Sequence, residues 1–222
     1  NKYTKICKDF CNKGIDNLYC FYLKTTLREK KFTIISSDCW GGGIYEDVKM
    51  EYKTPTVGLF FHPKCYLTLV SNLESYINLE LKFIQSSKYD TANELRKNSN
   101  NYPIALLGSD IEIHFLHYSN QEEALNKWNR RKNRILFDKI LLAFTDDEGC
   151  TYNDLLFFDA LKYPKVVFTS KQYKNILSSV FLKHLKHQKS VGDLYTNKWH
   201  TRKYFNPAKW INRSFHQMNN SI

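Results

Sequence analysis

Residues 140–169 narrow the folds open to this chain. Ile140–Phe144 (ILLAF) is an unbroken apolar run ending in the polar tip Thr145-Asp146-Asp147-Glu148-Gly149. Thr151-Tyr152-Asn153-Asp154 has capping-box spacing and predicts a helix to about Leu161. Lys165–Thr169 (KVVFT) then reads as a second strand. Strand, helix, strand in that order is the signature of a βαβ unit.

The rest of the chain extends the pattern. Residues 5–29 carry Cys7, Cys11, Ile15, Leu18 and Tyr22 at roughly helical spacing, with Gly14 weakening the middle. Strands are predicted at Lys31–Ser36, Thr56–Phe61, Pro103–Leu107 and Ile111–Leu116, the last two separated by Gly108-Ser109-Asp110. Pro63 opens a predicted helix to about Asn78, and Ser119–Glu122 has capping-box spacing for a helix to about Arg134. Residues 86–101 are polar and read as surface structure. The expectation is an N-terminal helical segment (1–30) and one α/β domain (31–222). Its largely parallel sheet would be flanked by helices, in a hydrolase-like or Rossmann-like arrangement. At 222 residues a single core needs no disulfide staples.

The six cysteines are scattered and form no C-x-x-C pair, which suits reduced thiols. No run of ~20 apolar residues is present to span a bilayer. The polar start of the chain does not resemble a signal peptide. These features predict a cytoplasmic protein.

Net charge is +11, and its distribution says more than its size. Residues 162–222 hold twelve Lys and Arg against Asp193 alone, so the whole excess lies there, while residues 1–161 are neutral. That last quarter also holds Trp199, Tyr204, Phe205, Trp210 and Phe215, and Asn206-Pro207 is a helix start. Lys and Arg beside Trp suit an anionic membrane surface, which places the protein at the inner face of the membrane as a peripheral partner. Nucleic acid ranks last as a partner, because no reader motif accompanies the charge.

Four places could carry chemistry. Ser36-Ser37-Asp38-Cys39-Trp40-Gly41-Gly42-Gly43 reads as a loop that puts small polar groups at the carboxyl end of a strand, where open α/β sheets bind ligands. Cys39 is a candidate nucleophile there, with glycine N–H groups facing a phosphate or an oxyanion. In Asp110-Ile111-Glu112-Ile113-His114-Phe115-Leu116-His117, strand parity puts Glu112 and His114 on one side, an acid beside a candidate base. His117, three positions on, would face the other way. In Trp128-Asn129-Arg130-Arg131-Lys132-Asn133-Arg134, helical spacing sets Trp128, Arg131 and Arg134 near one face, an arginine grip for phosphate or carboxylate. Asp146 and Asp147 are a weaker candidate, for a divalent cation bridging a nucleotide diphosphate.

Together FTIISSDCWGGGIYED (32–47), PTVGLFF (55–61), YPIALLGSDIEIHFLHY (102–118), ALNKWNRRKNRI (124–135), GCTYNDLLFFDAL (149–161), KVVFTSK (165–171) and VGDLY (191–195) resemble a bacterial exopolysaccharide-biosynthesis family. That family is catalogued mainly as a domain of unknown function. The resemblance covers about residues 31–210. Cys39, Gly41, Gly42, His114, His117, Trp128, Arg131 and Gly149-Cys150 match its motif, whereas Ser37-Asp38 stands where it more often reads Asn-Asn. Its pattern does not require three acids at 146–148. The strand–Cys–Gly start is more loosely similar to capsule acetyltransferases that use Cys and His and bind coenzyme A. The resemblance implies a transferase acting on a glycan or lipid-linked glycan, with acyl transfer from a coenzyme A thioester ahead of transfer from a sugar nucleotide.

Overall fold

The computed structural model describes residues 2–99, 101–194 and 198–219. In chain order the elements are α1 (Lys2–Thr26), β1 (Thr33–Ser36), α2 (Trp40–Asp47), α3 (Pro63–Ser71), α4 (Leu73–Ile77), β2 (Leu81–Ile84), α5 (Asp90–Lys97), β3 (Ile104–Leu107), β4 (Ile111–His114), α6 (Gln121–Lys132), β5 (Ile140–Thr145), α7 (Tyr152–Ala160), β6 (Lys165–Thr169), β7 (Ser179–Phe181), α8 (Lys198–Tyr204) and α9 (Pro207–Asn219).

Two sheets form. One is parallel with strand order β1-β5-β6-β7, and the other antiparallel with order β2-β3-β4. The β5–α7–β6 unit is the βαβ element read from sequence, with Ala143 opposite Val166 and Phe144 opposite Val167. Every residue of β1 and β5 is buried, as a strand covered on both faces requires.

Strand parity sorts the core into two layers. On one face of the parallel sheet, Ile34, Leu141, Ala143, Val166 and Phe168 pack with Leu23 and Leu27 near the end of α1, Trp40 and Ile44 of α2, and Ala208, Ile211 and Phe215 of α9. On the other, Ile35, Leu142, Phe144 and Val167 meet Tyr66 and Leu69 of α3, Phe158 of α7 and the inner side of the antiparallel sheet. Each such fully buried side chain contributes roughly 1.5–3 kcal/mol. Helix α7 is held by the complete capping box read from sequence, with Thr151 and Asp154 bonding reciprocally.

Four expectations are corrected. Trp40–Gly43 is the first turn of α2 rather than a loop. Its glycines let the helix press onto β1: a Cβ on Gly41 would lie 2.8 Å from Ser36 Cβ and 2.9 Å from Ile34 Cγ2. Thr56–Phe61 forms only a single bridge, Phe60 to His114, because Gly58 at φ +69° breaks the extended run. The helix expected over 63–78 divides at Asn72 (φ −144°, ψ 60°) into α3 and α4. The cap of α6 is Asn120, whose side chain accepts from Glu123 N–H at 2.8 Å, one residue beyond the expected Ser119.

The packing at Gly41 has a measurable consequence. Gly41→Ala forces α2 off β1 and should cost about 1–3 kcal/mol in urea unfolding, although alanine favours helices by itself. A neutral or stabilising result would contradict the close approach.

Candidate functional site

β1 ends at Ser36, and three residues carry the chain into α2. Asp38 secures that passage. Its Oδ1 accepts from Trp40 N–H at 2.9 Å and from Ser36 Oγ at 3.0 Å, while Oδ2 is buried without a partner. Ser37 Oγ is also buried and unpartnered. Trp40 turns into the core against Phe168, Phe205 and Trp210.

On the other side of this passage lies a cleft of about 280 Å³. Cys39, Gly42, Gly43 and Glu46 supply one wall, Gly58 and His117 another, and Lys127 and Arg131 of α6 a third. Gly58 is obligatory here: its φ of +69° suits glycine, and a Cβ would lie 3.2 Å from His117 Cβ.

Arg131 is the most constrained polar group in the cleft. It is only 7% exposed. Nη1 donates to Tyr118 Oη at 2.6 Å, and Tyr118 Oη donates to the Val57 carbonyl at 2.6 Å. The guanidinium carbon stands 4.7 Å from the centre of the Tyr52 ring, and Tyr52 Oη donates to Glu46 at 2.8 Å. Arg131 Nε is buried without a partner. A buried donor left unpaired costs about 1–3 kcal/mol, more on a charged group. Lys127, one turn back, pairs with Glu123 at 2.5 Å on the rim.

Cys39 shares the cleft with His117, but its surroundings oppose a thiolate. Burial, then the acids Asp38, Asp193 and Glu46, push its thiol up to about 12. Its Sγ lies 3.8 Å from the Leu59 carbonyl. A thiol in that environment is protonated at neutral pH, so the nucleophile expectation loses its electrostatic basis. The glycine N–H groups are likewise partly spent, since Gly43 donates to the Cys39 carbonyl at 3.1 Å.

The two histidines part company. His114 is completely buried, with Nε2 at 2.8 Å from Glu112 Oε1 and Nδ1 at 3.4 Å from Tyr102 Oη. Glu112 also accepts from Ser87 Oγ and, at 3.0 Å, from Lys88 N–H. Burial opposes its ionisation, yet the close approach of His114 and the bonds from Ser87 and Lys88 bring its carboxyl down to about 2. This pair faces away from the cleft, and only His117 lines it. Asp110 sits exposed in the β3–β4 turn, bonded to Ser109. Trp128 is core, edge-on to Phe115, and Arg134 pairs with Glu51 at 2.9 Å.

At the acidic tip of β5, Asp146 accepts from Ser170 N–H and Oγ at 2.7 and 2.8 Å and from Val191 N–H at 2.8 Å, so it fastens two loops to the sheet. Asp146, Asp147 and Glu148 line a separate cavity of about 460 Å³ with Lys171, Lys189 and Ser190. Among the described residues, no group of three or more His, Cys, Asp or Glu side chains converges as a metal site would need.

Sequence reading missed Asp38, Tyr52, Tyr118, Lys127 and Glu46. Only Asp38 left a signal, as an acid at a strand's carboxyl end. Burial raises its carboxyl to about 6, against which the bonds from Trp40 and Ser36 pull down. The folded protein thus binds the proton more tightly than the unfolded chain, and stability falls as pH rises from about 4 to about 6. Asp38→Asn should gain about 3 kcal/mol at pH 7.5 and well under about 1 kcal/mol at pH 4. Equal gains at both pH values in urea titrations would refute the buried charge.

Residues 11–212 match the family described as a domain of unknown function, DUF1919. An uncharacterised protein of Haemophilus influenzae is 32% identical over 203 residues, covering 87% of this chain and 92% of the relative. The chain therefore belongs to the DUF1919 family.

Proposed function

We propose that this protein is a transferase of bacterial exopolysaccharide or capsule biosynthesis that moves an acyl group onto a glycan hydroxyl. The observation that carries the reading is the guanidinium of Arg131, nearly buried at 7% exposure, which lines the cleft that also holds His117 and Cys39. Arg131 and Lys127 bind a phosphate of a coenzyme A thioester donor. His117 takes the proton of the acceptor hydroxyl as its oxygen attacks the thioester carbonyl. The new C–O bond forms, the C–S bond breaks, and the proton passes on to the departing thiolate. Cys39 stays a neutral thiol lining the pocket, so transfer is direct rather than through an acyl-enzyme. The acceptor is a glycan or lipid-linked glycan, and the protein works as a peripheral protein at the inner face of the membrane.

The test is acetyl transfer from acetyl-coenzyme A to a capsule-type amino sugar. Cys39→Ala should keep kcat within about threefold, whereas Arg131→Gln should raise the donor KM by about 10–100-fold. A loss of about 10³-fold or more in Cys39→Ala would overturn direct transfer. No transfer by the unaltered protein would overturn the acyltransferase reading. A glycosyl- or phospho-transferase using a nucleotide donor is the second reading, and the Asp147–Lys189 cavity favours it. It requires sugar-nucleotide binding that calorimetry detects and that Asp147→Asn abolishes.

A further inference from the structure

Helix α1 buries Leu23 and Leu27 against the core, yet its opposite side carries Leu18 at 70% and Phe21 at 68% exposure. Two large apolar side chains on one outward stripe mark a surface that something covers. Lys24, one turn beyond Phe21, and Arg28, two residues past the end of α1, are both exposed.

Helix α9 adjoins α1. Asn212 Oδ1 accepts from Arg28 N–H at 2.9 Å, and its Nδ2 donates to the Thr26 carbonyl at 2.9 Å. Asn206 Nδ2 donates to Tyr22 Oη at 3.0 Å. The outward side of α9 presents Lys209, Arg213 and His216. Arg28, Arg213 and His216 line a groove of about 450 Å³ between α9 and the segment that follows α1, where Glu29 also lies. The neighbouring acids are engaged within the protein: Glu29 with Lys139 at 2.7 Å, and Asp16 and Asp47 with Arg202 at 2.5 and 3.1 Å.

We propose that this face docks on an anionic phospholipid bilayer. Leu18 and Phe21 enter the boundary of the acyl chains, and a lipid phosphate sits in the groove between Arg28 and Arg213. The proposal rests on the peripheral location stated above and names the surface that meets the membrane. Charge complementarity selects the occupant. A second copy docked on the same face would set Lys24, Arg28 and Arg213 against their own equivalents, a repulsive arrangement at a two-fold contact. An apolar ridge bordered by Lys and Arg matches an anionic interface on both counts. Among the described residues no helix is long and apolar enough to cross the bilayer, so contact of this kind lies on the surface.

Co-sedimentation with phosphatidylcholine vesicles, with and without phosphatidylglycerol, tests this directly. The unaltered protein should bind the phosphatidylglycerol vesicles at least about 10-fold more tightly than pure phosphatidylcholine. The pair Leu18→Asp and Phe21→Asp should weaken that binding by about 10-fold or more, and so should the pair Arg28→Glu and Arg213→Glu. Circular dichroism of both variants should match the unaltered protein, since all four side chains face outward. Failure of the unaltered protein to sediment with anionic vesicles would overturn the proposal. So would undiminished binding by the Leu18 and Phe21 double variant, or a dimer in light scattering that this variant dissociates. Sedimentation needs no substrate, so its failure is distinguishable from failure of the transferase reading.

Discussion

His117→Ala should lower kcat for acetyl transfer by about 10²–10⁴-fold while leaving the thermal midpoint nearly unchanged. His117 is exposed at the edge of the cleft, and its removal opens no hole in the core. What is lost is the group that receives the hydroxyl proton. The donor KM should hardly move, because Arg131 and Lys127 are untouched, and that split separates a proton acceptor from a binding residue. Activity within about threefold of the unaltered enzyme would remove His117 from the chemistry.

His114→Ala should do the reverse. The imidazole is sealed beside Glu112, and deleting it leaves a buried carboxylate without the neighbour that stands 2.8 Å from its oxygen. Breaking such a pair by removing one member costs about 3–5 kcal/mol. The protein that remains folded at low temperature should keep its kcat, because the pair does not line the cleft. The same cluster sets the response to acid. Burial, reinforced by the charge of His114, lowers His62 to about 4, so the unfolded chain takes up that proton near pH 6.5 while the folded protein resists it. Glu112, held down to about 2, adds stability that is complete above about 4.5 and fades as pH falls toward 2. Between about pH 6.5 and 4 the loss from His62 is opposed by the gain from protonating Asp38, whereas below about 4.5 stability should decline as Glu112 is protonated, and Glu112→Gln should remove that decline. Guanidinium midpoints of the two proteins measured from about pH 4.5 downward test this, and equal slopes would contradict it.

Strands β1, β5 and β6 of the parallel sheet were legible in the sequence because they are covered on both faces, and continuous apolar runs such as Ile140–Phe144 leave few alternatives, whereas the half-buried edge strand β7 was not. The glycines misled for a physical reason. Locally, Trp40-Gly41-Gly42-Gly43 favours a turn, but Gly41 is small so that a helix can lie against Ser36 and Ile34, a contact no local window contains. Strand β2 went unread because it pairs only with β3 and its sequence, Leu81–Ile84, is short and half exposed.

The site was legible in part. Parity put Glu112 and His114 together, and the geometry agrees, whereas His117 lies in the turn past the end of β4, where strand parity does not apply. Which of the two sides was the core was not legible, because a strand with Ile111 and Ile113 on one face gives no sign that Glu112 and His114 are buried as well. Arg131 stood out among its basic neighbours by helical spacing alone. That Tyr52 and Tyr118 would hold it came only from the fold, since Tyr52 lies about eighty residues away.

The central claim is that the Cys39–His117–Arg131 cleft binds the anionic donor. Amide chemical-shift mapping during titration with coenzyme A tests it most directly. The account predicts shifts concentrated at Gly42, Gly58, His117, Lys127 and Arg131, and their loss in Arg131→Gln. Shifts confined to Asp147, Glu148, Lys171 and Lys189, or none in the cleft at saturating ligand, would contradict it.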